Sequence, residues 1–274
     1  MNLAAIRYRN VLVQDNGPIS DLETGRFDLR GQSVFQANAT LSADLAPRRA
    51  AQLFSPVDGS GTHRLAAVAR HIAVSEALER WALLSRLTKA GKLQFGFGDD
   101  PTSNGMAAYP GLFSFQARRN AWMEAVERHA LFGWWEGRLQ AGFFKTDWPG
   151  VSGIEIVSPF SARGIHVVAL FTKTDSGRYA YGHAAANTLG KACDKALVEM
   201  CRHQLAVANW DSGLGVGGGD RPWGEQARSE IALHHEARAL YFASAEGVFQ
   251  RWDQLPHLER LQRQLAFRYR WHPG

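Results

Sequence analysis

Cysteine is scarce in this chain: 274 residues carry only Cys193 and Cys201. Two thiols on what reads as one helix can build neither a disulfide framework nor a zinc cluster, which leaves buried or semi-buried free thiols. Long apolar runs are missing too. Nothing approaches bilayer-spanning length, and the opening residues Met1 to Arg9 lack the apolar stretch of a secretion signal, so a cytoplasmic protein with no membrane partner is expected. Two catalytic signatures are absent. Without Gly-x-x-x-x-Gly-Lys-Ser/Thr, any nucleotide must be held by something other than a P-loop. The lack of Gly-x-Ser-x-Gly argues against a hydrolase elbow. The glycine run from Gly213 to Gly219 has no lysine and no amphipathic helix after it, and reads as a flexible loop.

What is present is ordinary in bulk. The apolar fraction of 45% and charged fraction of 21% are those of a globular protein, long enough for one large domain or two closely packed halves. The net charge of +5 comes mostly from arginines, several between Arg251 and Arg270. Such a balance suits nucleic acid or an acidic peptide, but no nucleic-acid module accompanies it, and a solvated basic face is the simpler reading. The interleaved Arg251, Trp252, Arg268, Tyr269, Arg270 and Trp271 keep a base-stacking surface as a minor alternative. His234-His235-Glu236 lacks the i, i+4 spacing of a zinc helix and reads as a surface patch.

Apolar periodicity predicts helices over about 65–87, 115–135 and 189–210. Strand-like runs occur at Val11–Val13 and Ser33–Leu41, with a polar turn at Pro56-Val-Asp-Gly-Ser-Gly. The runs from Ile165 to Lys173 and from Tyr179 to Ala184 flank Asp175-Ser-Gly and predict a hairpin. Strands and helices alternate in blocks, which gives an α/β (α+β) fold class with sheets packed against helices. We take residues 1–274 as one domain, with the recognisable motifs in 56–205 and a variable part in 211–274.

The first two helices share a motif. Ser75-Glu-Ala-Leu-Glu-Arg-Trp-Ala-Leu and Met123-Glu-Ala-Val-Glu-Arg-His-Ala-Leu both contain Glu-Ala-x-Glu-Arg-x-Ala-Leu. At about 100° per residue, Glu76 and Glu79 point within about 60° of each other, one turn apart. Ile72 and Leu83 fall in the same arc, so the carboxylates interrupt what would otherwise be an apolar stripe. On the second helix Asn120, Glu124 and Glu127 share an arc with Leu131 and Trp134 beside them. Carboxylates at such edges need partners: the neighbouring arginine, or a metal ion. Two such helices could bring four oxygen ligands to one space, as Mg²⁺ carrying phosphates prefers. One copy alone would read as surface salt-bridge ornament. The near-identical second copy tips the reading toward function.

Here the residues resemble the YcaO family. Three segments carry the resemblance in order. These are Gly59-Ser-Gly with Ala69 to Arg80; Ser103-Asn-Gly-Met-Ala-Ala with Asn120 to His129; and Val167-Val-Ala-Leu, Gly182-His-Ala and Ala192 to Met200. Departures are visible: Ile72 stands where the family has Ser, Arg202 where it has Gln, and Gly-Ser-Gly-Thr where it has Gly-Lys-Gly. The span between the first two Glu motifs looks shortened, and no proline-rich ending of the azoline-forming kind is seen.

The resemblance implies ATP and Mg²⁺ held between helices and sheet. Glu76, Glu79, Glu124, Glu127 and Glu199 would include the metal ligands, and Arg80, Asn120, Arg128 and Glu199 would bind the cofactor. It implies ATP-dependent cyclodehydration of Cys, Ser or Thr in a ribosomally made, post-translationally modified precursor peptide, of which bacteriocins are examples. A thioamide is the product if sulfide replaces the side chain. Implied partners are the precursor peptide, a separate leader-binding protein, a flavin dehydrogenase, and other copies or subunits. The rival from another class is a non-catalytic scaffold that binds a partner enzyme or leader peptide. His183, at a strand end in the third motif region, could touch substrate, but its default reading is a hydrogen-bonded core-edge histidine.

Overall fold

A computed structural model describes residue 13 and residues 17–42, 57–86, 114–135 and 138–211. These fall into two compact units, and the boundary lies within one helix, between Trp122 and Met123. The expectations for Val11–Leu12, Ser103–Ala108, Gly213–Gly219, His234–Glu236 and Arg251–Trp271 lie outside the described residues.

The first unit holds strands β1 (Ile19–Leu29), β2 (Gln32–Leu41) and β3 (Gly59–His63), antiparallel in the order β1-β2-β3. A two-residue turn joins β1 to β2. Arg30 and Gly31 both take positive φ, 49° and 84°, which matches the right-handed twist of the flanking strands. The Asp28 carboxylate holds that turn by accepting the Gly31 N–H at 2.8 Å. Helix α1 (Ala66–Arg86) lies on this sheet. Its buried side is the stripe Ala69, Ala73, Ala77 with Val74, packed with Ile19, Ala37, Ala39 and Leu41. Small side chains on both surfaces let helix and strand approach closely.

That approach explains two glycines. A Cβ on Gly59 would sit 2.1 Å from the Ala73 carbonyl oxygen, and one on Gly61 2.1 Å from that of Ala69. The Gly59-Ser60-Gly61 part of the segment predicted as a turn belongs to strand β3. Its glycines serve close packing of backbone on backbone, which no other residue allows. The carboxylate arc also shifts: α1 buries Ala69, Ala73 and Ala77, while Ile72, Glu76 and Glu79 are half-buried along the margin of that stripe.

Helix α2 (Ser114–Trp135) carries the unit boundary. The second unit continues with β4 (Gln140–Lys145), β5 (Val151–Val157), β6 (His166–Lys173) and β7 (Tyr179–Ala186), antiparallel in sequence order. The β6–β7 hairpin closes through Gly177 at φ 80°, with the Thr174 N–H donating to the Arg178 carbonyl at 2.7 Å. Helix α3 (Leu189–Asp211) covers β6 and β7. The core includes Ile154, Ile156, Val167, Leu170, Tyr179, Ala192, Ala196 and Met200. Cys193 and Cys201 are buried free thiols, as expected. Burial first, then Asp194 and Glu155, push the Cys193 thiol pKa upward, which disfavours the reactive thiolate.

The second unit repeats the first unit's device. A Cβ on Gly182 of β7 would lie 2.1 Å from the Met200 nitrogen and 2.2 Å from the Ala196 carbonyl of α3. Gly59 meets the corresponding pair, Ala73 and Ala77. Aligned this way, Ala69 matches Ala192, Glu76 matches Glu199, and Arg80 matches His203. The sequence motif likens α1 to α2, but the way each helix meets the glycine of its own strand likens α1 to α3.

Candidate functional site

The glutamates sit on helices that lie against strands, and each unit has its own constellation. In the first, Glu76 projects from the margin of α1. Its Oε2 accepts the Ser60 N–H at 2.7 Å, and its Oε1 lies 3.7 Å from the Arg80 guanidinium. Arg80 donates to the Val57 carbonyl at 3.3 Å, which ties the helix to the chain entering β3. The Ser60 hydroxyl donates to Asn38 Oδ1 at 2.8 Å, and Gln36 reaches the same oxygen at 3.3 Å. Beside them Asp58, only 1% exposed, accepts the Leu41 N–H at 2.7 Å. A buried carboxylate needs such donors. Glu79 is half-buried one turn beyond Glu76. Asn120, on the part of α2 that belongs to this unit, is exposed.

The second unit places three glutamates differently. Glu124 is ion-paired with Arg128, one turn along α2. Glu127 Oε1 lies 2.7 Å from His183 Nδ1, and its Oε2 accepts the Ala185 N–H at 3.0 Å. Both of its oxygens thus face β7. Glu199 is half exposed and accepts from Arg202 at 2.8 Å, so the arginine that stands where the resembled family has Gln neutralises its own neighbour. Next to it, His203 has Nδ1 3.1 Å from both the N–H and the carbonyl of Tyr181, and the Tyr181 ring meets its ring edge-on at 4.6 Å. Burial drives the His203 pKa down to about 4; the Tyr181 backbone bond opposes this, and His183 adds to it. His203 is therefore neutral at pH 7.

Each unit thus sets a helix glutamate against a backbone N–H of a glycine-bearing strand. Carboxylate oxygens are the donors a hard cation prefers, and the arginines beside them carry the planar fork that fits phosphate. Among the described residues, no group of three His, Cys, Asp or Glu side chains stands at metal-holding distances. Mg²⁺ does not require one, since it commonly takes one or two carboxylates and completes its shell with phosphate and water. By this criterion Glu76, Glu79, Glu124 and Glu199 have the right chemistry for such an ion. Glu127 does not fit as well, because both oxygens are spent on protein donors.

Residue-type reasoning did not reach Asn38, Asp58, Ser60, Tyr181 or His203. The Gly-x-Gly spacing of Gly59 and Gly61, which puts both glycines on one face of a strand, was the signal for a helix packed there.

The chain matches no protein-family model, and no curated protein matches it by sequence. Among solved structures it is similar to YcaO from Methanopyrus kandleri bound with AMPPCP and Mg²⁺. The TM-score is 0.53 at 12% identity, covering 75% of this chain and 67% of that one. With its mixed helices and antiparallel sheets, the chain has a YcaO-like α+β fold.

Proposed function

We propose that this chain binds Mg·ATP without a P-loop and uses it to activate backbone amides of a peptide. The observation that carries the reading is the anchoring of Glu-x-x-Glu-Arg helices on glycine-bearing strands, in a fold similar to that of a protein solved with AMPPCP and Mg²⁺. In the first unit Glu76 and Glu79 would offer oxygen to Mg²⁺ and Arg80 and Asn120 would suit phosphate; in the second, Glu124 and Glu199 and the guanidinium of Arg128 have the same chemistry. The Glu76–Arg80 contact at 3.7 Å is longer than a hydrogen bond, while Glu76 Oε2 stays anchored on the Ser60 N–H, so Oε1 is the oxygen oriented for a ligand.

The bound ion supplies charge neutralisation for the transferring phosphoryl group. The reaction we favour is cyclodehydration. A Cys, Ser or Thr side chain of a precursor peptide adds to the preceding carbonyl carbon, and the oxyanion so formed takes the γ-phosphoryl group while ADP leaves. An amide oxygen is a poor leaving group and phosphate a good one. Loss of phosphate, with the amide proton, gives the azoline. Sulfide in place of the side chain gives a thioamide. Positioning and electrostatics supply most of the barrier reduction in such transfers.

The test has two stages. The full chain is titrated with AMPPCP by calorimetry, with and without Mg²⁺; we expect binding that requires the ion and weakens about tenfold or more in Glu76→Gln. A precursor peptide encoded nearby is then incubated with the protein, ATP and neighbouring gene products. Loss of one water mass per modified residue supports cyclodehydration, and an unchanged mass counts against it.

The Glu199–Arg202 ion pair favours one second reading, a YcaO-like scaffold that binds a leader peptide or partner enzyme without turnover. Absence of nucleotide binding at millimolar concentration, with peptide still captured, would select it.

A further inference from the structure

A sheet edge presents a row of backbone donors and acceptors that must be answered by something. Two edges in this chain are answered by side chains. On the outer side of β3 the Ser60 N–H goes to Glu76 at 2.7 Å. On the outer side of β7 the Tyr181 backbone meets His203 Nδ1 at 3.1 Å, and the Ala185 N–H goes to Glu127 at 3.0 Å. Strand β4 is also an edge, but it is six residues long and ends on Lys145, two features that discourage pairing. Strand β1 has none of these protections. It ends its sheet and runs for 11 residues without Pro or Lys.

The register says which of its groups are open. The two-residue turn closes on the pair Leu29 and Gln32, so the bonds to β2 fall on Leu29, Phe27, Gly25 and Glu23. The N–H and carbonyl groups of Asp28, Arg26, Thr24 and Leu22 therefore point away from β2. Among the described residues none bonds to them, and the isolated bridge from Val13 reaches only Ile19, at the start of the strand. The middle of β1, Glu23 to Arg26, is exposed, and a Cβ on Gly25 would meet nothing within 4 Å.

We propose that this edge docks an extended, basic segment of another polypeptide as a fourth strand, between Leu22 and Asp28. Main-chain bonds supply the affinity in strand addition, and side chains select the occupant. Here the selection is by charge. Asp21, Glu23 and Asp28 are exposed and acidic, whereas the one basic residue, Arg26, lies over the Phe35 ring at 5.2 Å. The chain as a whole carries +5 and repels a basic peptide elsewhere, so β1 is a local exception. The same charges disfavour a second copy pairing β1 with β1, because an acidic edge would face itself.

The probe is a fluorescent peptide of about ten residues alternating Lys and Thr, titrated into the full chain by anisotropy, with a Glu–Thr peptide as control. The Lys peptide should bind about tenfold or more tighter than the control. Thr24→Pro deletes one outward N–H at a place where an edge strand tolerates Pro, and should weaken binding about tenfold or more. Thr24→Val keeps that N–H and should bind like the wild type. Amide hydrogen exchange of the wild type, read by NMR, needs no variant and decides the matter if Thr24→Pro fails to fold. With peptide present, exchange at Leu22, Thr24 and Arg26 should slow about tenfold or more, while Glu23, Gly25 and Phe27, already bonded to β2, should not change. Slowing without that alternation, or equal binding of the two peptides, overturns the proposal. So does unaltered binding by a folded Thr24→Pro. Alternating protection that rises with protein concentration in the absence of peptide would make the occupant a second copy, and overturns it too. No nucleotide enters these measurements, so their outcome stands apart from the amide-activation reading.

Discussion

His203 ties residue chemistry to stability. Its folded pKa is about 4 against 6.5 for the free side chain, chiefly through burial. The sign follows from which state binds more protons. Between pH 6.5 and 4 the unfolded chain is protonated at this histidine and the folded chain is not, so its contribution is complete above 6.5 and is lost as pH falls toward 4. A gap of that size corresponds to roughly 3 kcal/mol. Urea unfolding of the wild type and His203→Gln across that range should show the wild type losing stability more steeply with acidification. Gln can still meet the Tyr181 backbone, so the difference isolates the titration. Parallel curves would mean that His203 is protonated or solvated in the folded state. The Glu155–His166 pair, at 2.7 Å and about one-third exposed, is solvent-screened and should contribute far less.

At the scale of elements, the glycine contacts make a sharper prediction. Gly59→Ala and Gly182→Ala each place a methyl group about 2.1 Å from helix backbone, which has no rotamer to escape into. Each should cost about 3 kcal/mol or more, read as a lower urea midpoint or failure to fold. Gly25→Ala and Gly142→Ala meet nothing within 4 Å and should be neutral or stabilising by up to about 1 kcal/mol. Equal losses at all four positions would refute the close helix–strand packing. These glycines also show what a sequence reveals and hides. The three helices were legible to within a residue or two, because their apolar spacing is long and unbroken. The β6–β7 hairpin was legible because alternating apolar runs flank a turn triplet. Strand β1 was not, since most of Ile19–Leu29 faces solvent and gives no period-2 signal. Strands β4 and β5 are short, and Gly142, Gly150 and Gly153 interrupt or border them. Strand β3 mimics a turn, as its glycines are chosen by a helix that comes later in the chain. The site was legible in part. The Glu-x-x-Glu-Arg repeat led to Glu76 and Glu127, but their backbone partners, Ser60 and Ala185, are set by strand position and not by residue type. The α1–α3 correspondence rests on alanine spacing, which carries little weight until a glycine is seen packed against it.

For the whole molecule, the question is whether two strand-and-helix units of like construction serve a nucleotide or only the stability of the fold. A ligand that binds only the folded chain stabilises it by about 2.7 kcal/mol at a hundredfold excess over its dissociation constant. For a chain of this size each kcal/mol moves the melting temperature by about 2–4 °C, so saturating Mg·AMPPCP should raise it by about 5 °C or more. The net charge of +5 favours a polyanion in general, so some shift from unspecific attraction is expected with inorganic triphosphate. Added salt separates the two, because screening erases diffuse attraction faster than contacts made by half-buried carboxylates and arginines. Differential scanning fluorimetry at low and moderate salt, with AMPPCP alone, Mg²⁺ alone and both together, makes the distinction. A shift that needs both components, survives moderate salt, and shrinks in Glu76→Gln and Glu124→Gln but not in E127Q, is the outcome expected of a Mg·nucleotide site built from these helices. A shift that triphosphate reproduces, and that vanishes with salt, would leave the glutamate–strand contacts as architecture alone.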